Sequence, residues 1–287
     1  MITESELIIN DDGSVFHLHI RPEHLADRII LCGDLERVSM IAGYFESVEC
    51  DISNREFHTI TGNYQGKRIT VVSHGIGCDN IDIVITELDA LANIDFSTRL
   101  IRPDFRQLTL VRIGTSGGLQ SFTPIGTYVA AEKSIGFDGV VYFYKDNERI
   151  RDIAVEEEIL RQLQWNVVGI RPYVVSADPS LLTQIVKNDI IRGMTIAANG
   201  FYGPQGRALR LPLADPELNQ KIETFEFEGQ RITNYEMESS ALAGLAGLMG
   251  HRALTVCCII SGRVDENMNT NYKDNLPILI EKVLDRI

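Results

Sequence analysis

Glycine-rich segments that follow short apolar runs are the first places in this 287-residue chain where a ligand could bind. They are Gly33–Arg37, Gly75–Gly77 and Gly114–Gly118. Backbone N–H groups at the carboxyl end of such strands can face an anion. A glycine after a strand is usually only a turn, and none of the segments matches GxGxxG or the Walker A pattern. The segments therefore leave an anion site open, but they do not support dinucleotide binding or ATP hydrolysis.

Arginines beside these glycines favour the anion site. Arg37 lies four residues after Gly33, and Arg112 lies two residues before the third segment. Arg55 lies in a turn-like Asn-Arg-Glu-Phe sequence. A guanidinium group can form paired hydrogen bonds to phosphate, although each arginine alone could pair with a structural carboxylate instead. Three together, with the hydroxyl of Thr115, favour a bound oxyanion such as phosphate.

The segment Asn234–Ser240 carries two carboxylates, Glu236 and Glu238, on either side of Met237. We expect it to open a helix over 236–249, so the two carboxylates would point to different faces and could not form a tight acid–base pair. Either could simply complement the helix dipole. The functional alternative is a carboxylate that accepts hydrogen bonds from two neighbouring hydroxyls of a sugar such as ribose.

Residues 200–207, Gly-Phe-Tyr-Gly-Pro-Gln-Gly-Arg, combine three side chains that suit an aromatic base. Gln205 offers an amide that donates and accepts, Arg207 offers a planar set of donors, and Phe201 offers a stacking face. An exposed loop without function is the alternative. The combination indicates recognition of a heterocyclic base.

Short apolar runs alternate with longer helical patterns, and these elements must position the side chains described above. Predicted strands cover 28–32, 68–73, 108–113, 127–131, 173–176 and 254–260. Predicted helices cover 36–45, 81–91, 152–165, 236–249 and 276–286, with Asp79 as the N-cap of the second. The alternation predicts a single α/β domain over residues 1–287, with a parallel or mixed central sheet flanked by helices. Segments 95–106 and 199–212 interrupt the pattern, and such loops more often carry function than packing.

The composition excludes several classes of protein. Lys and Arg total 27 against 40 Asp and Glu, a net charge of −13, which disfavours binding to nucleic acid or to an anionic membrane. Five cysteines without a CxxC pair fit neither a disulfide framework nor a zinc site, so we expect reduced thiols and no metal. No signal-peptide pattern opens the sequence and the longest apolar run, 253–260, is too short to span a bilayer, so the expected location is cytoplasmic.

Several longer motifs resemble one known family. VFHLHI, LCGDLERV, NREFHTITGNYQGKRITVVSHGIG, LVRIGTSGGL and NYEMESSAL occur in the order found in the nucleoside phosphorylases of the hexameric type, from about residue 15 to 263. Within that family, GPQGR and the early Phe-His pair resemble the members that act on uridine. Ile260–Arg263 lacks the Asp that purine phosphorylases and adenosine-type nucleosidases carry there. The nucleosidases also lack the phosphate-binding arginines.

The resemblance implies a pentosyltransferase of pyrimidine salvage that converts uridine reversibly to uracil and ribose 1-phosphate, with inorganic phosphate as co-substrate and no cofactor. Carried over by position, the phosphate ligands are Gly33, Arg37, Arg112 and Thr115, with Arg55 from a neighbouring subunit. The ribose ligands are Glu236, Met237, Glu238 and, from the neighbouring subunit, His17. The base ligands are Phe201, Gln205, Arg207 and Arg263. The expected catalytic residues are Arg112, Arg207 and Glu238.

The resemblance leaves some points open. Because Arg55 and His17 would complete a neighbour's site, a homodimer is the smallest expected assembly and a hexamer is the alternative. Deoxyuridine and thymidine are open as further substrates, and a purine phosphorylase or a nucleosidase of the same fold is the alternative function. Leu35 replaces the usual Pro of the first glycine segment, and Asn80 replaces a hydroxyl residue of a potassium site in some relatives, so no such ion is predicted. Segment 95–106 is longer than in bacterial enzymes of the family and could alter subunit packing.

Overall fold

A β-sheet with helices on both faces carries the predicted site residues. The computed structural model describes residues 1–262 and 275–287. Its strands are β1 (Arg28–Cys32), β2 (Ser47–Asn54), β3 (Phe57–Tyr64), β4 (Lys67–Ser73), β5 (Ile94–Asp95), β6 (Leu100–Ile101), β7 (Thr109–Gly118), β8 (Tyr128–Gly136), β9 (Tyr173–Ser176), β10 (Ile191–Ala197), β11 (Glu226–Phe227), β12 (Gln230–Glu236) and β13 (Arg252–Gly262). Its α-helices are α1 (Leu35–Ala42), α2 (Cys78–Asn93), α3 (Ile153–Gln162), α4 (Pro179–Ile185), α5 (Leu218–Thr224), α6 (Ser239–Met249) and α7 (Leu276–Arg286). Within these described ranges, none of the helices has the length and apolar character that crossing a membrane would need.

The strand order brings distant parts of the chain together. The main sheet runs β11-β12-β10-β8-β13-β7-β1-β4-β3-β2, with β9 paired to β8, while β5 and β6 form a separate hairpin. β1 is parallel to both β4 and β7, whereas β2, β3 and β4 form an antiparallel edge. β12 also pairs with β7, so β12, β10, β8, β13 and β7 close into a ring of strands. The predicted α/β class with a mixed central sheet is confirmed.

The central strands are apolar on both faces, which explains why helices cover both. Ile30 of β1 packs in a cluster with residues of α1, α4 and α7. Its neighbours Ile29 and Leu31 pack on the opposite face, with residues of α2 and α6. Continuous apolar strands of this kind are typical of a parallel sheet buried on both sides. Leu110 of β7 belongs to the α2–α6 face, so alternation along the strand directs Arg112 to that face as well.

Several elements have the predicted bounds, and others differ in length. β1, β9 and α7 begin and end where predicted, whereas α1 and α3 are shorter. β7 continues through the third glycine segment to Gly118 instead of ending before Gly114. Glycine is needed there because a β-carbon on Gly118 would lie 2.4 Å from the carbonyl oxygen of Thr123. The glycines of this segment therefore allow close packing along a strand and do not form a turn.

Two predicted helix starts are wrong. α2 begins at Cys78 with Gly77 as its N-cap, so Asp79 lies inside the first turn and does not cap the helix. Gly77 has a φ of 99°, which glycine adopts readily. The chain therefore turns into α2 at Gly77, before the residue at which the apolar periodicity predicts the helix to begin. α6 begins at Ser239, because Glu236 is still the last residue of β12. The edge strands β2 and β3, the inner strands β10 and β12, and the short helices α4 and α5 were not predicted.

We expect Ile30→Ala to lower the free energy of unfolding by about 2–5 kcal/mol, because it opens a cavity in the middle of the sheet. Ile30 is fully buried, whereas half of Ile278 on α7 is exposed. Ile278→Ala is the matched control and should change stability by less than about 0.5 kcal/mol. Urea unfolding of both variants measures the difference. Equal losses would contradict the assignment of β1 to the core.

Candidate active site

Three parallel strands place their ends side by side. β1 lies between β4 and β7, and its last residue, Cys32, pairs with Ser73, the last residue of β4. Arg112 of β7 pairs with the residue before Cys32. Gly33 after β1, His74 after β4 and Arg112 therefore lie at the carboxyl edge of the sheet, which is where open α/β sheets bind ligands. We take this edge as the candidate active site.

Arg112 is the centre of a buried group of charges. Its Nη1 donates to Oε2 of Glu236 at 2.9 Å, and its Nη2 donates to Oε2 of Glu238. Its Nε donates to Nε2 of His74 at 3.1 Å. All four side chains are buried, so two carboxylates surround one guanidinium group that water does not solvate. These carboxylates raise the pKa of Arg112 although its burial acts in the opposite direction.

The two glutamates converge on Arg112, and the prediction that they point apart is wrong. Glu236 ends a strand, and the chain then turns before α6 begins at Ser239. In this turn Glu236 accepts hydrogen bonds from the backbone N–H groups of Glu238 and Ser239, at 2.9 and 3.0 Å. Glu238 accepts a further bond from the N–H of Gly77 at 2.7 Å. Helical geometry separates side chains two residues apart, but this strand–turn connection does not.

A missing side chain makes room for the guanidinium group. A β-carbon on Gly114 would lie 2.6 Å from Nη1 of Arg112 and 2.9 Å from Sγ of Cys257. The same Nη1 donates to that sulfur at 3.7 Å. Glycine at position 114 is therefore required for Arg112 to fold along its own strand. The glycine segment has a packing function that its sequence alone did not reveal.

Burial sets the ionisation of the groups around Arg112. It raises the pKa of Glu238 above its ordinary value; the charge of Arg112 opposes this effect and the charge of Glu236 adds to it. Burial also raises the pKa of Cys257 to about 12, although the nearby Arg112 opposes the change. Cys257 is consequently a neutral thiol at physiological pH.

Arg37 adds a second cation to the edge. It lies in the first turn of α1, is buried, and donates from Nη1 to the carbonyl oxygen of Ile113 at 3.1 Å. Burial lowers the pKa of His74, and the nearby charges of Arg112 and Arg37 lower it further. Within the described ranges, Arg37 Nε, His74 Nδ1 and Ser116 Oγ are buried without a hydrogen-bond partner. Buried polar atoms are normally paired, so these three fit an edge that receives a polar ligand.

Three of the four predicted base-binding residues lie together in the loop after β10. The guanidinium carbon of Arg207 lies 3.7 Å from the ring centroid of Phe201. Arg207 Nη1 donates to the carbonyl oxygen of Phe201 and to Oε1 of Gln205, both at 2.6 Å. Gln205 is buried, and Asn219 of α5 donates to its carbonyl oxygen at 3.3 Å. This loop therefore presents an amide, a guanidinium group and an aromatic ring as one unit.

The loop also borders an apolar cavity of about 600 Å³. Phe137, Trp165 and Leu211 are among the residues that line it. Of the predicted site residues in the described ranges, Arg207 alone lines this cavity. The cavity therefore adjoins the base-binding end of the predicted site and contains none of its described phosphate or ribose ligands.

His17 and Arg55 lie beside each other, apart from the Arg112 cluster. Nδ1 of His17 lies 2.7 Å from Oε1 of Glu87 on α2, and Asn54 donates to the carbonyl oxygen of His17 at 2.8 Å. Arg55 lies between β2 and β3 and covers the ring of Phe16 at 5.3 Å. Neither His17 nor Arg55 hydrogen-bonds to the Arg112 cluster within residues 1–262 and 275–287. This position is compatible with the expectation that both serve a neighbouring subunit.

The other predicted residues are spread around the edge. Thr115 is a partly exposed residue of β7, and Met237 lies in the turn between the two glutamates, where its carbonyl oxygen accepts a bond from Sγ of Cys78 at 3.1 Å. Arg263 lies outside the described residues. The sequence analysis missed His74, although it directly follows a predicted strand. Gly33 directly follows β1, just as His74 directly follows β4. This shared position after a strand is the signal that could have identified His74.

Comparisons with known proteins agree with this geometry. A family model described as Phosphorylase superfamily matches residues 27–285. A uridine phosphorylase of Thermococcus kodakarensis is 27% identical over 262 residues, which cover 88% of this chain and 79% of that protein. A DeoD-type purine nucleoside phosphorylase of Colwellia psychrerythraea is 26% identical over 287 residues, with coverage of 93% and 98%. A crystal structure of a Trypanosoma brucei nucleoside phosphorylase, reported to show uridine phosphorylase activity, has a TM-score of 0.87 and 28% identity, with coverage of 98% and 100%.

Arg112→Met should lower the free energy of unfolding by about 3–5 kcal/mol at about pH 8, because it leaves two buried carboxylates without their cation. The loss should shrink at about pH 5. Without Arg112, the pKa of Glu238 in the folded protein rises further above its unfolded value, so the penalty shrinks as this group protonates. Urea unfolding at both pH values measures the effect.

Arg161→Met is the matched control. Arg161 is exposed on α3 and pairs there with Glu158, so its loss should leave the unfolding free energy unchanged. A loss in Arg112→Met that is the same at both pH values would contradict the account of the buried charges.

Proposed function

The chain belongs to the Phosphorylase superfamily, and from this premise we propose that it is a uridine phosphorylase. The reaction is the reversible conversion of uridine and inorganic phosphate to uracil and ribose 1-phosphate. The observation that carries the proposal is the carboxyl edge of the sheet, where two buried arginines stand beside two buried glutamates and unpaired polar atoms. This edge offers cations for phosphate and carboxylates for sugar hydroxyls. No cofactor is needed, because phosphate is itself the second substrate.

Phosphate binds at the edge that Gly33, Arg37, Arg112 and Thr115 form. The arginines hold its oxygens in place for attack on C1′ of the ribose, and this positioning supplies much of the catalysis. Arg112 already donates to Glu236, Glu238, His74 and the sulfur of Cys257, which uses four of the five N–H groups of a guanidinium group, so one N–H on Nη2 is left for a phosphate oxygen. As the glycosidic C–N bond breaks, its electron pair leaves with uracil and a phosphate oxygen bonds to C1′.

Ribose binds against Glu238, with Glu236 and Met237 beside it. Each oxygen of Glu238 accepts one protein hydrogen bond, from Gly77 and from Arg112. An ionised carboxylate has roughly four acceptor positions, so two are left for the 2′- and 3′-hydroxyls. Because both glutamates are held by Arg112, neither serves as the general acid of a glycosidase-type pair. Arg112 thus connects the phosphate to the sugar.

Uracil binds at the loop that carries Phe201, Gln205 and Arg207. Negative charge grows on the base as it leaves, and the guanidinium group of Arg207 and the amide of Gln205 donate to it. Two features favour uridine over a purine nucleoside: this Gln–Arg pair, and Ser261–Gly262 where the purine enzymes carry a Ser-Asp pair. The matched DeoD-type protein makes a purine phosphorylase the alternative, and release of base without phosphate would indicate a nucleosidase.

The active unit is a homodimer at least. His17 and Arg55 form a surface group of their own, beside Glu87 and Phe16. In this proposal that group reaches the neighbour's site, where Arg55 contacts phosphate and His17 contacts the ribose 5′-hydroxyl. With Nδ1 of His17 bound to Glu87, its Nε2 is the nitrogen left to accept that hydroxyl. A hexamer built from such dimers is the larger alternative.

Arg207→Ala should lower kcat/KM for uridine roughly 10²- to 10³-fold, because it removes a donor to the leaving base. Steady-state phosphorolysis followed by ultraviolet absorbance measures the change. Arg210→Ala is the matched control, since Arg210 is an exposed residue of the same loop. Its kinetics should equal those of the unmodified enzyme. Unchanged uridine kinetics in Arg207→Ala would remove this residue from the reaction.

Mixed subunits test the shared site. Arg55→Ala and Arg207→Ala subunits should each be nearly inactive alone, because one lacks a donor to the neighbour's phosphate and the other lacks a donor to its own base. Co-expressed in equal amounts, they should recover about a quarter of full activity, since half of the dimers are mixed and one of their two sites is intact. No recovery would show that Arg55 serves its own subunit.

A further inference from the structure

His74 is a buried imidazole at the carboxyl edge of the sheet. The binding of phosphate, ribose and uracil proposed for this edge does not use it. It directly follows β4, and its backbone N–H donates to the carbonyl oxygen of Cys32 at 2.8 Å. A β-carbon on Gly33 would lie 3.6 Å from Cε1 of the imidazole, the carbon between the two ring nitrogens. The nitrogen-bearing edge of the ring therefore faces Gly33. Residue 33 is the glycine assigned to phosphate, and a β-carbon there would also lie 3.0 Å from the carbonyl oxygen of Gly75.

The hydrogen bond from Arg112 fixes the tautomer of His74. Nε of Arg112 can only donate, so Nε2 of His74 accepts and carries no hydrogen. Burial lowers the pKa of His74 well below its ordinary value, and the charges of Arg112 and Arg37 lower it further. The backbone of Gly75 acts in the opposite direction with the weakest of these effects, because it lies near the ring without reaching hydrogen-bond geometry with Nδ1. The ring is therefore neutral at physiological pH, and its hydrogen is on Nδ1.

This Nδ1–H group is a buried donor without an acceptor in the described part of the chain. Arg37 Nε, also buried and unpaired there, is a second such donor near the same imidazole. Donors left unpaired inside a protein are costly, and they are normally satisfied by protein, water or ligand. A ligand that satisfies both must be rich in acceptor oxygens and must tolerate two neighbouring cations. Phosphate has these properties.

We propose that His74 is a further ligand of the phosphate co-substrate, to which it donates a hydrogen bond from Nδ1 while its Nε2 orients Arg112. The inference rests on the proposed function, because that function supplies the phosphate. It gives His74 two contacts that substitutions can separate. A neutral donor also adds a hydrogen bond to phosphate without adding a third charge to the edge.

Two amide substitutions separate these contacts. In His74→Gln, the side-chain oxygen can reach the position of Nε2 and accept from Arg112, but no donor replaces Nδ1. In His74→Asn, the amide nitrogen can take the position of Nδ1 and donate, but the acceptor for Arg112 is lost. His251→Gln is the control for loss of a buried histidine, because both ring nitrogens of His251 have protein partners, the N–H of Leu108 and Asp89.

Calorimetric titration with inorganic phosphate, in the absence of nucleoside, measures the dissociation constant directly. We expect His74→Gln to weaken phosphate binding roughly 10- to 100-fold, the loss typical of one hydrogen bond to a charged group. His74→Asn should weaken it less than His74→Gln, and His251→Gln should leave it unchanged. In steady-state kinetics, His74→Gln should raise KM for phosphate and leave KM for uridine within a factor of about two.

The outcomes distinguish this inference from the function on which it rests. Unchanged phosphate binding in His74→Gln would overturn it, and so would a larger loss in His74→Asn, which would mean that His74 acts only through Arg112. If the unmodified protein binds phosphate but does not cleave uridine, the proposed function fails while the phosphate contact of His74 is still tested by titration. Thermal unfolding of each variant confirms that the comparison is between folded proteins.

Discussion

The buried charge of Arg112 is the constraint on which the rest of this site depends. A guanidinium group inside a sheet needs carboxylates, and the pairing of β12 with β7 brings Glu236 to it from more than a hundred residues away. Gly114 gives the guanidinium group its space, and the N–H of Gly77 holds the second carboxylate, Glu238. Burial of any one of these charged groups alone would be energetically unfavourable, and Gly114 and the N–H of Gly77 would then have no charged group to accommodate or to hold. Together they hold a cation and two anions at the end of the central strands.

This arrangement explains how one cluster can serve both substrates of a phosphorylase. Phosphate needs cations and ribose hydroxyls need carboxylates, and here Arg112 connects the two sets within a single hydrogen-bonded network. The acidic surface of the protein does not attract phosphate, so the attraction must be local. We propose that Arg37 and the unpaired polar atoms beside it supply this local attraction. In the proposed reaction the carboxylates are fixed, so positioning and charge stabilisation perform the catalysis without an acid–base pair.

Much of the fold and part of the site could be predicted from the sequence, for physical reasons. Buried parallel strands are continuous apolar runs, so β1 and β9 were found with their correct bounds, and the Gln205–Arg207 unit was found because its residues are close in sequence. The convergence of Glu236 and Glu238 could not be predicted, since it depends on the non-local pairing of β12 with β7. His74 was missed because its role depends on a hydrogen bond from a strand beyond its immediate neighbour. For Gly114 and Gly118 the sequence left an anion site or a turn as the alternatives, whereas their neighbours in space require them within a strand.

The most direct test of the central claim is ultraviolet-monitored release of base from uridine, with and without inorganic phosphate, with inosine measured in parallel. The account predicts loss of uridine that requires phosphate and yields ribose 1-phosphate, while inosine is unchanged. Release of uracil without phosphate would contradict it, because the arginines would then have no phosphate to hold. Phosphate-dependent cleavage of inosine in place of uridine would contradict the assignment of the base-binding loop to uracil.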